Sequence, residues 1–209
     1  MHPMPRMSPM NRRAAIVDAA LRVMVRKGIA STTARDVAAE MECSSGLIHH
    51  YFSSMDELLA EAFELAAAKD LDAMRVAMQA ANDPVGQVTA FISGYGGTDE
   101  HWAFQLWLDA WSEAARRPAL QATSRRLNEA WQQLLAGAMA DGVRARKWRC
   151  SNVEAAAWRV LSLLDGMALQ SVAHGELIAH ADVVGWATDA TERELGLKAG
   201  TLRARTTSG

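Results

Sequence analysis

The chain is poor in the features that mark most small enzymes and secreted scaffolds. Only two of its 209 residues are cysteine, Cys43 and Cys150, and neither has a paired CxxC neighbour. This excludes a disulfide framework and fits reduced thiols in a cytoplasmic protein. No apolar run approaches the roughly 18 residues needed to cross a membrane, and Met1–Pro9 lacks the apolar centre of a signal peptide. No His-Glu-x-x-His and no Glu-x-x-His occurs, which removes the zinc-protease and di-iron bundle signatures. A Gly-x-Ser-x-Gly elbow and a glycine-rich phosphate loop are likewise missing. An all-helical enzyme is therefore disfavoured, and no catalytic residue, metal or cofactor is expected. Prolines number five, three of them in the first ten residues, so that only Pro84 and Pro118 interrupt the body of the chain.

Half of the residues are hydrophobic, with alanine and leucine prominent, and no alternating strand pattern appears. The expectation is an all-α protein. Ile16, Ala19, Ala20, Val23 and Met24 repeat at helical spacing over 11–27, and Gly28 follows as a stop. Thr33-Ala-Arg-Asp36 and Ser54-Met-Asp-Glu57 have capping-box spacing and open further helices, the second running to about residue 79. Further helices are predicted at about 84–94, 99–117, 119–145, 151–174 and 182–196, with Gly94-Tyr-Gly-Gly97 as a turn. Residues 1–10 read as a disordered arm and 198–209 as a disordered polar tail.

Residues 33–52 carry most of the functional information. Two short helices meet at a tight turn. Val37, Ala38 and Met41 form the apolar stripe of one, and Leu47, Ile48, Tyr51 and Phe52 that of the other. Ser44, Ser45, Gly46, His49 and His50 are left on other faces of the second helix. A helix held by one face and offering short polar groups from its N-terminal end suits the DNA major groove. His49, His50 and Tyr51 end that helix, where side chains reach phosphates or base edges. Arg35 is a phosphate or base candidate. Thr33, at a helix start, is equally well explained as a cap or a phosphate contact. Residues 1–53 hold seven of the 22 basic residues but four of the 24 acidic ones, giving +3 against −5 for the remainder.

The run Thr33-Ala-Arg-Asp-Val-Ala followed by Ser44-Ser-Gly-Leu-Ile-His-His-Tyr-Phe52 and Asp56-Glu-Leu-Leu59 resembles the helix-turn-helix of TetR-family repressors. The variant Gly46–Phe52 is most similar to the branch of choline-sensing regulators. The specific match covers about residues 12–60. Three departures stand out: Glu42 where the turn usually has Gly, His49 where Tyr is common, and Met55 where a phosphate-binding Lys is usual. The first implies a helical rather than left-handed turn residue. The resemblance implies a three-helix DNA-binding head at 1–57 and a helical ligand-binding and dimerisation domain at 58–197. It further implies a homodimer on a palindromic double-stranded operator, released by a small-molecule effector through the long helix after residue 55. The DNA-binding candidates are then Thr33, Arg35, Ser44, Ser45, Gly46, Leu47, His49, His50 and Tyr51. Regulation by a protein partner is the rival reading.

The helix at 99–117 is the unusual element of the body. One stripe holds Trp102, Leu106, Asp109 and Glu113, the other Phe104, Trp107, Leu108, Trp111 and Ala115. Apolar on two faces, it is expected to be largely buried, where unpaired carboxylates are costly. Either Asp109 and Glu113 reach solvent or pair with Arg116, Arg117 or Arg159, or they line a pocket for a cationic effector together with Trp102 and Leu106. The pocket would lie among the helices at 84–94, 99–117 and 119–145. Trp131, Trp148, Trp158 and Trp186 read as core or interface. In the family, the last two long helices form a four-helix bundle across the two-fold axis. Their stripes are Trp158, Leu161, Leu164, Ala168, Leu169 and Val172, and Val183, Val184, Trp186, Ala187 and Ala190.

Overall fold

A computed structural model describes residues 8–95, 101–175 and 177–203. Every regular element among them is helical: α1 Pro9–Lys27, α2 Ala34–Glu40, α3 Ser45–Tyr51, α4 Met55–Gln79, α5 Pro84–Gly94, α6 His101–Ala114, α7 Pro118–Arg144, α8 Val153–His174 and α9 His180–Glu194. None of these helices is long and apolar enough to cross a membrane. Residues 1–7, and with them most of the expected N-terminal arm, lie outside the described residues, as does Gly96-Gly97 of the predicted turn. The first helix starts two residues earlier than its apolar pattern implies. Ser8 accepts a hydrogen bond from the Asn11 amide (3.2 Å), and Pro9 supplies the fixed φ of a first helical position.

The chain divides into two compact units. The first comprises residues 1–68 and 106–126, and so takes in the three helices of the expected head together with the start of α4, most of α6 and the start of α7. Its interior holds Ile16, Ala19, Ala20, Val23 and Met24 of α1, Ile48 and Phe52 at α3, and Leu58, Leu59 and Phe63 of α4. Each large apolar side chain among these contributes roughly 1.5–3 kcal/mol by leaving water. Phe63 meets Trp107 of α6 edge-on at 4.8 Å. Two carboxylates tie the added helices in. Asp56 of α4 accepts from the Ala119 and Leu120 amides (2.9 and 3.4 Å), capping α7 from outside its own sequence. Asp109 of α6 accepts from the Ile29 amide (3.4 Å) just beyond α1. At the intervening Gly28, φ is +82°, and a Cβ would stand 3.1 Å from the Asp109 carboxylate. Glycine is required there for both reasons.

The second unit comprises residues 69–105 and 127–209. Its core is Met74 and Met78, Val88, Phe91 and Ile92, Leu135 and Met139, Leu161 and Leu164, and Ala187. Trp148 is buried, donates to the Met139 carbonyl (2.8 Å) and fills the space beside Gly142, where a Cβ would lie 1.9 Å from the indole. α8 and α9 are joined by Arg159 and Glu194, in contact at 2.6 Å. The tail expected from Lys198 onward is in fact ordered to Arg203. Leu202 is fully buried, and the buried Glu192 carboxylate accepts from the Gly200 and Leu202 amides (2.8 and 2.7 Å). A buried acid met by two backbone donors is a local device that polar composition conceals.

Burial also divides the apolar stripes of α8 and α9. Leu161, Leu164, Val183 and Ala187 face the unit's own core, whereas Trp158, Leu169 and Trp186 are exposed at 39%, 42% and 50%. Gly166, between them on α8, has nothing within 4 Å of its Cβ position. Leu65 of α4 is also exposed.

Candidate nucleic-acid interface

Thr33 caps α2. Its hydroxyl oxygen accepts from the Asp36 amide (3.3 Å), and the Asp36 carboxylate accepts from the Thr33 amide and hydroxyl (3.0 and 2.6 Å). The carboxylate also holds Lys27 at 2.5 Å. Hydrogen bonds from Lys27 and Thr33 together pull the Asp36 pKa down to about 2. The Thr33 side chain is thus engaged as a cap. Val37 and Ala38 bury the inner face of the helix.

The turn to α3 corrects one expectation. Glu42 has φ +52°, the left-handed conformation, not a helical one. The Glu42 amide donates to the Ala39 carbonyl (3.2 Å) and the Cys43 amide to the Ala38 carbonyl (2.9 Å). That pair of bonds is a Schellman ending, which imposes a left-handed residue at this position whatever its side chain. An L-residue there costs roughly 1–2 kcal/mol.

α3 then starts after Ser44. Ile48 and Phe52 are buried, Leu47 and Tyr51 half-buried, and Ser44, Gly46, His49 and His50 exposed, with Ser45 between these extremes. The T-shaped contact of His50 with Tyr51 (5.2 Å) sets the two rings side by side at the helix end. Below them, Arg13 lies over the Phe52 ring at 4.2 Å and pairs with Glu57 at 2.8 Å and with Glu61. Glu57 in turn accepts from the Ser53 amide and hydroxyl (2.9 and 2.6 Å), and hydrogen bonds from Ser53 lead in holding its carboxyl below the ordinary value. This network fixes where α3 ends and α4 begins. The offered set of Ser44, Ser45, Gly46, Leu47, His49, His50 and Tyr51 therefore lies along one short, braced helix and its cap.

Most of the basic side chains of the head are engaged by carboxylates. Arg22 and Arg26 both bind Glu40 (2.8 and 3.0 Å), which their hydrogen bonds hold below the ordinary carboxylate pKa. Lys27 is engaged by Asp36, and Arg13 by Glu57 and Glu61. Among the described residues of the head, Arg12 and Arg35 form no ion pair, and Arg35 is exposed.

The four residues of the expected ligand wall fare differently. Trp102 is 41% exposed and belongs to the second unit, while Leu106, Asp109 and Glu113 belong to the first. The buried face of α6 is Ala103, Leu106, Trp107 and Ala110, a single stripe instead of two. Asp109 turns to the end of α1, as described. Glu113 is buried but bonded to Arg116 and Arg117 (2.8 and 3.1 Å), whose hydrogen bonds hold its carboxyl below the ordinary value. The carboxylates that motivate a cation on this stripe already have partners inside the chain.

A further acid, which no sequence motif marks, has the environment expected of them. Asp165 of α8 accepts a hydrogen bond from the Tyr95 hydroxyl. Tyr95 follows α5 and touches Phe91 (5.9 Å), Trp131 of α7 (5.8 Å) and Phe104 of α6 (5.4 Å). The available signal is a lone aspartate within the apolar run Leu161, Leu164, Met167 of α8.

This fold, with its helix-turn-helix, defines a class. Residues 16–62 match the model of bacterial regulatory proteins of the tetR family, and residues 87–196 match the BetI-type transcriptional repressor C-terminal domain. The chain belongs to the TetR family and carries a BetI-type C-terminal domain. It is 30% identical to the HTH-type transcriptional regulator BetI of Paraburkholderia xenovorans over 170 residues, 79% of this chain and 84% of that protein. With the BetI regulator of Rhizobium meliloti it shares 36% identity over 107 residues, spanning 50% of this chain and about half (53%) of that protein. A crystal structure of a Saccharomonospora viridis regulator in complex with choline superposes with a TM-score of 0.78 at 20% identity, covering 89% of this chain and 98% of that one. These are transcriptional regulators, not enzymes.

Proposed function

We propose that the protein is a ligand-responsive repressor that binds a palindromic operator as a homodimer and leaves it when a small-molecule effector binds the second unit. The observation that carries this reading is the exposed edge of α3. Ser44, Gly46, His49 and His50 project from a helix whose other side, Ile48 and Phe52, is locked into the head. His50 and Tyr51 reach base edges or phosphates, and Arg35 supplies a cation for the backbone. The dimer is formed through Trp158, Leu169 and Trp186, an apolar surface that α8 and α9 leave uncovered. Asp109 and Leu106 serve as braces of the head and not as effector contacts. α6 contributes Phe104 to the aromatic group of the second unit and, five residues later, Asp109 to the end of α1 in the first. An effector that shifts α6 would bias the placement of α2 and α3, lowering operator affinity by a coupling energy of typically ~1–3 kcal/mol. Selection of bound sequences from random duplex DNA tests the reading. A two-fold symmetric consensus, with binding weakened by His50→Ala, supports it, and sequence-independent binding refutes it.

A further inference from the structure

A cavity of about 740 Å³ opens in the second unit between the end of α7, the loop to α8 and the end of α9. That size falls in the range of small-ligand pockets, roughly 300–1,000 Å³. Both helix ends that border it are braced turns. At the end of α7 the Lys147 amide donates to the Gly142 carbonyl (2.9 Å) and the Arg146 amide to the Val143 carbonyl (3.1 Å), which sets Arg146 at φ +56°. At the end of α9 the Leu197 amide donates to the Glu192 carbonyl (2.8 Å). Gly196 there has φ +62°, with its Cβ position 3.4 Å from the Arg149 carbonyl. Trp148 and Leu197 give the cavity apolar walls, and the indole is fixed by its hydrogen bond to Met139.

The charged lining is of one sign. Arg146, Lys147 and Arg149 border the cavity, and no Asp or Glu does. All three are exposed, and among the described residues none forms an ion pair. The neighbouring acids are taken, Asp141 by Arg144 and Glu194 by Arg159. Elsewhere in the body Arg75, Arg116, Arg117, Arg126 and Arg203 have carboxylates of their own. Three like charges within four residues repel one another, and stability alone does not favour gathering them beside an apolar wall. One of them also occupies a left-handed position where glycine is the usual residue.

We propose that this cavity binds a small organic phosphate. Arg146, Lys147 and Arg149 meet the phosphate, whose charge of about −1.5 to −2 suits several cations, and Trp148 and Leu197 meet its apolar body. Duplex DNA, a convex rod, would touch only the exposed rim, so the concave wall favours a molecule small enough to enter. None of the lining residues belongs to α3 or to the outward row of Trp158, Leu169 and Trp186. The site therefore stands or falls apart from operator binding and dimer formation.

The test is calorimetric titration of the whole chain with phenyl phosphate, inorganic phosphate and benzyl alcohol at low and high salt. Phenyl phosphate should bind at least about tenfold more tightly than either of the others and lose affinity as salt rises. Arg146→Gly suits the left-handed backbone and Arg149→Ser alters an exposed side chain, so both variants should fold. Each should weaken binding by about tenfold, the scale of one charged hydrogen bond. Cys150 also lines the cavity, whereas Cys43 belongs to the first unit. Bound phenyl phosphate should therefore slow alkylation of Cys150 and leave that of Cys43 unchanged, as read by peptide mass spectrometry. No binding of phenyl phosphate by wild type, undiminished affinity in both variants, or unaltered alkylation of Cys150 overturns the proposal. Protection of Cys150 by a random duplex at lower concentration than by phenyl phosphate overturns it as well, by assigning the cations to nucleic acid.

Discussion

Replacing Asp165 with asparagine is expected to stabilise the free protein, and only above a particular pH. Burial raises this carboxyl from 3.8 to about 6, against the opposing pull of the Tyr95 hydrogen bond. The folded state therefore prefers the protonated form more than the unfolded chain does. The stability this provides is fully present below about pH 4 and is lost as pH rises through about 6. A shift of about two units corresponds to at most ~3 kcal/mol, at ~1.36 kcal/mol per unit. Partial exposure of the side chain makes ~1–3 kcal/mol the working range. Asp165→Asn retains shape and hydrogen-bonding capacity but carries no charge. Its unfolding free energy should match wild type near pH 3 and exceed it near pH 7.5. Denaturant titrations at both pH values, at one fixed protein concentration because association adds to apparent stability, measure the difference. A variant less stable than wild type at pH 7.5, or a difference that does not change with pH, refutes the reasoning.

Glu42→Gly should raise stability by ~0.5–1 kcal/mol, because relief of the left-handed strain at φ +52° exceeds the added chain entropy; a lower denaturation midpoint would contradict this. Gly142→Ala should destabilise by ~3 kcal/mol, since its Cβ would fall 1.9 Å from the Trp148 indole, which is tied to Met139; an unchanged midpoint would show that the indole moves freely. His50→Ala or Tyr51→Ala should weaken specific operator binding by ~1–3 kcal/mol per half-site, whereas Arg35→Ala should chiefly reduce its salt dependence, both read by anisotropy titrations at several salt concentrations. Leu169→Asp should leave the chain folded, because Leu169 is exposed in the single chain, yet sediment as a monomer; a wild type already monomeric at micromolar concentration contradicts the dimer.

Local rules make most of the helices legible in the amino-acid order. The apolar repeat of α1, the capping box at Thr33 and the breaks at Pro84 and Pro118 place elements to within a few residues, because those signals depend on near neighbours. What stays hidden depends on distance or conformation. Glu42 is not glycine, so residue type conceals a conformation that the Ala38–Cys43 hydrogen bond dictates. Asp109 shares a stripe of α6 with Trp102 and Glu113, but its partner Ile29 is eighty residues away. Asp165 and Tyr95 are separated by seventy residues and fit no motif, so no local pattern marks their contact. On α8, periodicity does not divide the core-facing Leu161 and Leu164 from the outward Trp158 and Leu169, since both rows are apolar. For the candidate DNA interface, the exposed residues of α3 follow from its stripe, but the engagement of four basic residues by Glu40, Asp36, Glu57 and Glu61 does not.

The central claim joins DNA binding to effector binding, so the most direct measurement follows both in one cuvette. The duplex selected from random DNA is labelled, saturated with protein, and titrated with a panel of small-molecule effectors while anisotropy is recorded. The account predicts specific, saturable binding of the two-fold symmetric duplex and its release by an effector from this panel. Sequence-independent binding, or operator binding that no effector alters, would contradict it.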